Sequence, residues 1–325
     1  MTWVTWRQYR YQGALAAALL AVLAVVLLAT GLHAAHVWHS ALAGCARNGT
    51  CASLAGSGLS LSSPTFLTLV VATSAVPLLP GLFWGAPMVA SELEAGTHQF
   101  AWTQSITRRR WLAVRAGWLL LAAAVLAGVV SAVVTWWSGP DNALHAGAFQ
   151  ANRFDITGIV PVGYTVFAMA LGICAGALLR RTLPAVAVTL AAFTGLRALT
   201  ALWLRLHYMT PVTVYYKLTA PFIPTGSYLG IAQGIIGPDG QTVVLNDGVP
   251  SYDGVPIPAA CLHAAATPNP QAPLPCLAAH GYRGYVTFQP ASRFWAFEGI
   301  EAGIFVVLAA ILLGVTFWVL KRQDA

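Results

Sequence analysis

Six long apolar segments, separated by short polar ones, set the pattern of this chain. Each apolar segment reaches the roughly 20 residues that an α-helix needs to cross about 30 Å of hydrocarbon. Helices are the expected form, because an open strand edge leaves backbone groups without hydrogen bonds in lipid. The pattern predicts six transmembrane helices, near residues 13–33, 64–90, 111–137, 158–179, 183–204 and 301–320.

The first apolar segment follows Arg7 and Arg10, which is also how a signal peptide begins. Its apolar run is longer than the roughly 7–15 residues of a signal sequence, and five more such segments follow. We therefore predict a retained first helix, preceded by a helix in the membrane plane at residues 1–12, where Trp3 and Trp6 accompany the two arginines.

The polar segments predict how the rest of the chain is organised. Residues 91–110 form the loop between the second and third spans, within a helical region at 13–206. Residues 207–295 are rich in Gly and Pro and contain short β-prone runs, and residues 296–325 hold the sixth span and a tail. The predicted fold is an all-α polytopic membrane protein with a small, loop-rich extracellular segment before its last helix.

Composition excludes a soluble protein. Hydrophobic residues make up 58% of the chain and charged residues 8%, whereas soluble domains carry about 25% charged residues. The net charge of +7 is modest and lies at the ends of the apolar segments, which is typical of membrane topology and not of nucleic-acid binding. We predict a multi-pass protein of the cell membrane.

The basic residues also predict the orientation. With both termini in the cytoplasm, the cytoplasmic side carries ten basic and three acidic residues, while the other side is balanced. The ten are Arg7, Arg10, Arg108, Arg109, Arg110, Arg115, Arg180, Arg181, Lys321 and Arg322.

Four of the five cysteines fall in predicted extracellular loops. Cys45 and Cys51 share the first outer loop, Cys261 and Cys276 share the last one, and Cys174 is alone inside the fourth span. Pairs in an oxidising compartment predict two disulfides. Four free thiols in a reducing setting are the alternative.

Motifs of catalysis are missing. The sequence has no GxxxxGK[ST], HExxH, CxxC or GxSxG pattern, so we predict no catalytic residue and no ATP hydrolysis by this chain. His33, His36 and His39 are spaced three apart, but no cysteine or carboxylate lies in the same turn to complete a metal site. We interpret them as interfacial histidines and predict no metal.

The loop at 91–110 carries the sharpest signal. Two acids, Glu92 and Glu94, precede an amphipathic stretch with Phe100 and Trp102, and a basic cluster closes the loop. This pattern predicts a short helix that presents an aromatic face to a cytosolic partner, with arginines at the lipid headgroups. A solvated loop with an orienting arginine cluster is the alternative.

The loop resembles that of the ABC-2 type permeases, the membrane subunits of a class of ATP-driven exporters. The six spans, the in-plane N-terminal helix and the larger outer segment agree with that family. Its first cytoplasmic loop carries an acidic pair, then Gly-Thr, then an arginine before the third span, and this chain matches it at Glu92, Glu94, Gly96, Thr97 and Arg108.

The resemblance implies a coupling helix that contacts a separate ATP-binding subunit through Glu92, Glu94, Gly96, Thr97, Phe100, Trp102 and Arg108. ATP and Mg²⁺ would bind in that subunit, and this chain would need no cofactor. Two permease chains, identical or different, would pair in the lipid and export a hydrophobic or amphipathic compound by alternating access. An ion-coupled secondary transporter and a membrane scaffold or sensor that recruits a cytosolic protein are the alternatives.

Two further features concern packing within the membrane. GxxxG patterns at 81–85, 172–176 and 299–303 allow close helix contacts, either inside the chain or between chains. Arg197 lies about 21 Å into the fifth span, near the depth at which Glu298 and Glu301 open the sixth. We predict that Arg197 pairs with one of these glutamates, as an outer gate or as a structural lock; snorkelling to water is the third possibility.

Overall fold

A computed structural model describes most of the chain, which divides into two compact units. The membrane unit consists of Met1–Arg205 and Trp295–Ala325, and the sheet unit consists of Leu206–Phe294. The described residues are 18, 21–33, 35–36, 39–40, 64–94, 108–139, 147, 149, 151–220, 222, 224, 228–240, 242–246, 249–250, 258–261 and 272–322. The predicted in-plane helix, the Cys45–Cys51 pair and residues 95–107 of the loop lie outside them.

The membrane unit is helical at the predicted positions. Among the described residues, five helical stretches are long and apolar enough to cross a membrane: Thr68–Glu92, Leu112–Trp137, Val160–Leu179, Thr182–His207 and Ala291–Arg322. They correspond to the second to sixth predicted spans, and the first is represented by a shorter apolar helix. The count of six and the side of each terminus stay predictions.

In chain order the described α-helices are α1 Ala21–His33, α2 Pro64–Ala75, α3 Ala86–Glu94, α4 Arg108–Trp137, α5 Ala151–Phe154, α6 Val160–Leu179, α7 Thr182–Leu199, α8 Leu274–Ala279 (in the sheet unit) and α9 Phe294–Arg322.

Helix α6 is the central helix of the membrane unit. In its apolar window 78% of the residues are buried, against 22% for the spans that contain α4, α7 and α9. Those outer helices expose large apolar side chains such as Trp118, Leu183 and Leu202. Exposed apolar surface on this scale is expected where lipid is the solvent.

The span that contains α2 and α3 is not a continuous α-helix. It passes through a 3₁₀ turn at Val76–Leu78 and a π turn at Gly81–Gly85. Pro77 lies in the 3₁₀ turn and Pro80 directly precedes the π turn. The α-helix is interrupted there because a proline lacks the N–H that an α-helical hydrogen bond needs. An interruption of this kind is expected where several prolines fall within one span.

Two of the GxxxG patterns pack against each other inside the chain. A Cβ atom added to Gly172 would lie 2.3 Å from the carbonyl oxygen of Gly81, and one added to Gly81 would lie 2.3 Å from that of Ala168. The π turn and α6 are therefore in backbone contact, which only glycine permits. Gly299 and Gly303 of the third pattern have nothing within 4 Å of the same position.

The sheet unit corrects the prediction of an all-α fold with a loop-rich outer segment. Its described residues form a five-stranded antiparallel sheet in the order β1-β5-β2-β3-β4. The β-prone runs within 207–295 indicated strands but not how they pair, because the pairing is long-range: Thr213 of the edge strand β1 faces Thr287 of β5, 74 residues later. The strands are β1 Val212–Lys217, β2 Leu229–Ile236, β3 Thr242–Asn246, β4 Val249–Pro250 and β5 Arg283–Gln289.

The disulfide between Cys261 and Cys276 is confirmed. It joins the start of α8 to a short helical turn, and Cys261 is buried in a small core with Leu218, Ile235 and Leu277. Cys174 is free and buried in α6, as predicted.

Candidate functional site

A network of buried charges lies at one end of the membrane unit. Arg205 donates from Nε to Glu301 Oε2 at 3.0 Å and from Nη2 to Glu301 Oε1 at 2.6 Å, and Nη2 also contacts Asp155. Arg197 donates to the other oxygen of Asp155 at 3.1 Å. The Tyr164 hydroxyl donates to Glu301. We call these five residues the charge network.

Burial makes this network depend on its internal pairing. The side chains of Arg205 and Glu301 are 1% and 0% exposed, and those of Arg197 and Asp155 are 17% and 13% exposed. Two cations face two carboxylates, so the network has no net charge. A two-pronged contact between guanidinium and carboxylate is the geometry that best offsets the loss of hydration.

The five members come from four parts of the membrane unit, since Arg197 and Arg205 both belong to the span Thr182–His207. Asp155 lies between α5 and α6, Tyr164 on α6, Arg197 on α7 and Glu301 on α9. Arg197 also donates to the carbonyl of Ser74 at the end of α2. The network therefore connects α2, α6, α7 and α9 at this end.

The predicted direct pair between Arg197 and Glu298 or Glu301 is wrong. Arg197 pairs with Asp155, and Glu301 pairs with Arg205. A π turn at Thr200–Leu204 inserts one residue after α7. In a continuous α-helix, the residue seven positions after Arg197 would lie on the same face as Arg197. Because the π turn adds one residue, that position is taken by Arg205, which is eight residues after Arg197.

Glu298 has a different role. Its Oε2 accepts hydrogen bonds from the backbone N–H groups of Ile159, at 2.6 Å, and Val160, at 3.0 Å, where α6 begins. These amides have no partner within their own helix, and a carboxylate suits the positive end of the helix dipole. Gly158 makes room for it: its φ is +68°, and an added Cβ would lie 2.4 Å from Glu298 Oε2.

The opposite end of the membrane unit is basic. An apolar cluster brings together α3, α4, α6 and α9 there, through Met88, Leu112, Ile173 and Leu320. We call this the basic end; its described basic residues are Arg108, Arg109, Arg110, Arg115, Arg180, Arg181, Lys321 and Arg322.

Both acids of the loop motif contact other helices at the basic end. Glu92 forms an ion pair with Arg115 of α4, and these side chains are 18% and 8% exposed. Glu94 Oε2 accepts from the backbone N–H of Thr182 at 3.1 Å and from its hydroxyl at 2.9 Å. These hydrogen bonds lower the pKa of Glu94, with the backbone N–H contributing most. Because Thr182 is the first residue of α7, Glu94 caps that helix.

A family model described as ABC-2 membrane transporter related matches residues 17–205. The match covers more than half of the 325 residues. The chain belongs to the ABC-2 membrane transporter related family. No curated protein and no solved structure matches the chain.

As a member of the ABC-2 membrane transporter related family, the chain is a membrane component of an ABC transporter. The matched range contains the loop motif and three members of the charge network, Asp155, Tyr164 and Arg197, and it ends on the fourth, Arg205. Glu301 and the sheet unit lie outside it.

The structure describes only part of the predicted partner-binding loop. Glu92 and Glu94 end α3, and Arg108 begins α4. Gly96, Thr97, Phe100 and Trp102 lie outside the described residues. Contact of the loop with an ATP-binding subunit therefore stays a prediction.

Within the part of the chain that the structure describes, one group of side chains has the spacing of a metal site. Ligand atoms of Cys261, Cys276 and His280 lie within 4.8 Å of one another. The two sulfurs are joined in a disulfide, so they offer no thiolate to a metal ion.

Proposed function

We propose that the chain is the permease subunit of an ATP-driven exporter in the cell membrane. A separate ATP-binding subunit, which holds ATP and Mg²⁺, docks at the basic end through loop 91–110. The exporter moves a hydrophobic or amphipathic compound by alternating access. The observation that carries this proposal is the family match over 17–205, because this range includes the whole loop.

The chemistry of the membrane unit supports an apolar or amphipathic substrate. The charges of the charge network are paired with one another and buried. The exposed surface of the spans consists largely of aliphatic and aromatic side chains. A substrate that enters from the lipid along this surface would have to be apolar or amphipathic, since few groups here could replace the hydration shell of a charge.

Contacts at the basic end suggest how the loop moves the spans. The end of α3 is joined to α4 by Glu92–Arg115 and to α7 by Glu94–Thr182. Helix α3 also packs closely on α6, since a Cβ at Gly176 would lie 2.5 Å from the Ala86 carbonyl oxygen. A displacement of residues 95–107 by the ATP-binding subunit would therefore reach three spans at once.

Replacing Phe100 and Trp102 with alanine is expected to uncouple transport from ATP hydrolysis. The aromatic face would lose its contact with the partner, while the spans would keep their packing. The measurement is ATP-dependent movement of rhodamine 6G into proteoliposomes that contain the chain and its ATP-binding subunit, with phosphate release followed in parallel. We expect transport to fall at least about tenfold with the ATPase activity retained.

The control for this pair is Trp118→Ala with Leu121→Ala, which removes two side chains that α4 exposes. In a second arm, Glu92→Arg alone should uncouple, and Glu92→Arg with Arg115→Glu should restore part of the coupling. Unchanged transport in the Phe100/Trp102 variant would refute docking through this face. Failure of the charge exchange alone would refute only the role of the Glu92–Arg115 contact.

We further propose that a second copy of the chain packs against α9. Gly299, Gly303 and Gly314 are exposed along this helix, with nothing within 4 Å of an added Cβ. Small residues in this spacing let membrane helices approach closely. Gly303→Leu should lower the dimer fraction in nanodiscs, measured by mass photometry, whereas Gly195→Leu, at a similarly open site on α7, should not. Equal dimer fractions in the two variants would exclude this face.

A further inference from the structure

An open cavity of about 420 Å³ lies on one face of the sheet unit. Its side-chain lining comes mainly from Tyr215 of β1, Ile236 of β2 and Arg283 of β5. The other lining residues are Gly281 and three residues of the turn that follows β2, Gly237, Pro238 and Gly240, which we call the rim. The volume is in the range of sites that hold small organic molecules.

Arg283, which lines this cavity, faces a second cation in the sheet without a counter-charge. Lys217 of β1 lies directly opposite Arg283 of β5 in the strand register. Within the described part of the chain, neither side chain forms a hydrogen bond or an ion pair, and Asp239 in the rim turn pairs with neither. Like charges in directly opposite positions destabilise a sheet. An anion bound between them would remove that repulsion.

An aromatic ring accompanies the cations. Tyr215 lies two residues before Lys217, so both side chains are on the same face of β1. The ring is 57% exposed. Its face is available for stacking, next to a guanidinium that can hold an oxyanion through two hydrogen bonds.

The rim keeps the cavity open. Gly240 and Gly281 have φ angles of +79° and +85°, a conformation that side chains other than glycine rarely adopt. No atom lies within 4 Å of a Cβ placed on Gly240. A ligand would therefore approach the backbone here without a side chain in its way.

We propose that this face of the sheet unit, at Tyr215, Lys217 and Arg283, is a binding site for a small molecule that joins an oxyanion, such as a phosphate group, to an aromatic ring. Arg283 and Lys217 bind the oxyanion and Tyr215 stacks on the ring. The site is independent of the transport function proposed above, and its test needs neither ATP nor a partner subunit.

The test measures binding of phenyl phosphate to the full chain in phosphatidylcholine nanodiscs, by saturation-transfer NMR. We expect phenyl phosphate to bind more tightly than phenol or inorganic phosphate alone. Arg283→Gln with Lys217→Gln should weaken phenyl phosphate at least about tenfold, because two charge-assisted contacts are lost. Lys321→Gln with Arg322→Gln, which removes the same charge from the membrane unit, should leave the affinity unchanged.

Two results would overturn the site: equal affinity of the Arg283/Lys217 variant and the wild type, or an equal loss in the Lys321/Arg322 control. Arg283→Lys should lose part of the affinity, since it keeps the charge but not the two-pronged contact.

Discussion

Arg205→Gln is expected to destabilise the membrane unit by about 3–5 kcal/mol, because it leaves a buried carboxylate without its cation. Glu301 is 0% exposed and receives two hydrogen bonds from Arg205. Asp155 would lose one of its two arginines as well. The measurement is the yield of monodisperse protein in detergent together with its melting temperature.

Two further variants separate charge burial from general damage. Arg283→Gln makes the same substitution at an exposed position of the sheet unit and should have little effect on stability. Arg205→Leu with Glu301→Leu removes both buried charges and leaves Asp155 with Arg197, so it should recover much of the loss. Wild-type stability of Arg205→Gln would show that this ion pair does not form in the membrane.

The second large effect is expected from Gly172→Ala. The new methyl group would lie 2.3 Å from the carbonyl oxygen of Gly81 and 2.7 Å from the backbone nitrogen of Ala86. Backbone atoms cannot turn aside as a side chain can, so α6 would have to move away from the π turn. Overpacking of this kind costs about 1–3 kcal/mol, and more where the neighbours cannot shift.

Gly195→Ala is the matched control for this substitution. It lies within a membrane helix as Gly172 does, but nothing lies within 4 Å of its added Cβ. In an open helix this change should be neutral or stabilise by up to about 1 kcal/mol. Gly172→Ala should therefore lower the melting temperature, while Gly195→Ala should leave it unchanged or raise it. Equal melting temperatures would contradict the close packing of α6 on the second span.

The five described spans could be predicted closely, because the signal for a membrane helix is local. The run at 158–179 became α6 at Val160–Leu179, and the run at 111–137 became α4 at Arg108–Trp137. Both follow from the length of apolar sequence that crosses hydrocarbon. The loop motif around Glu92 and Gly96 indicated the same family as the match to the family model. This signal, too, comes from residues that are close together in the sequence.

Identical motifs had different outcomes in the tertiary structure. The GxxxG patterns at 81–85 and 172–176 pack against each other, while Gly299 and Gly303 of the third face open space. No property of the pattern distinguishes the three. The contact depends on which helix lies alongside, and α6 is the most buried of the five described spans.

The partners of the charges were likewise decided by the fold. Depth along the helices predicted that Arg197, Glu298 and Glu301 lie near one level of the membrane. With the π turn at Thr200–Leu204, Glu301 pairs with Arg205, and Arg197 pairs with Asp155. In the sheet unit, β1 pairs with β5, and the paired residues Thr213 and Thr287 are 74 positions apart in the sequence. The sequence by itself determined the helices, the family and the Cys261–Cys276 pair, because each depends on nearby residues and on the solvent around them. Only the tertiary structure decided the ion pairs, the glycine contacts and the sheet, because each joins distant segments whose meeting no local pattern encodes.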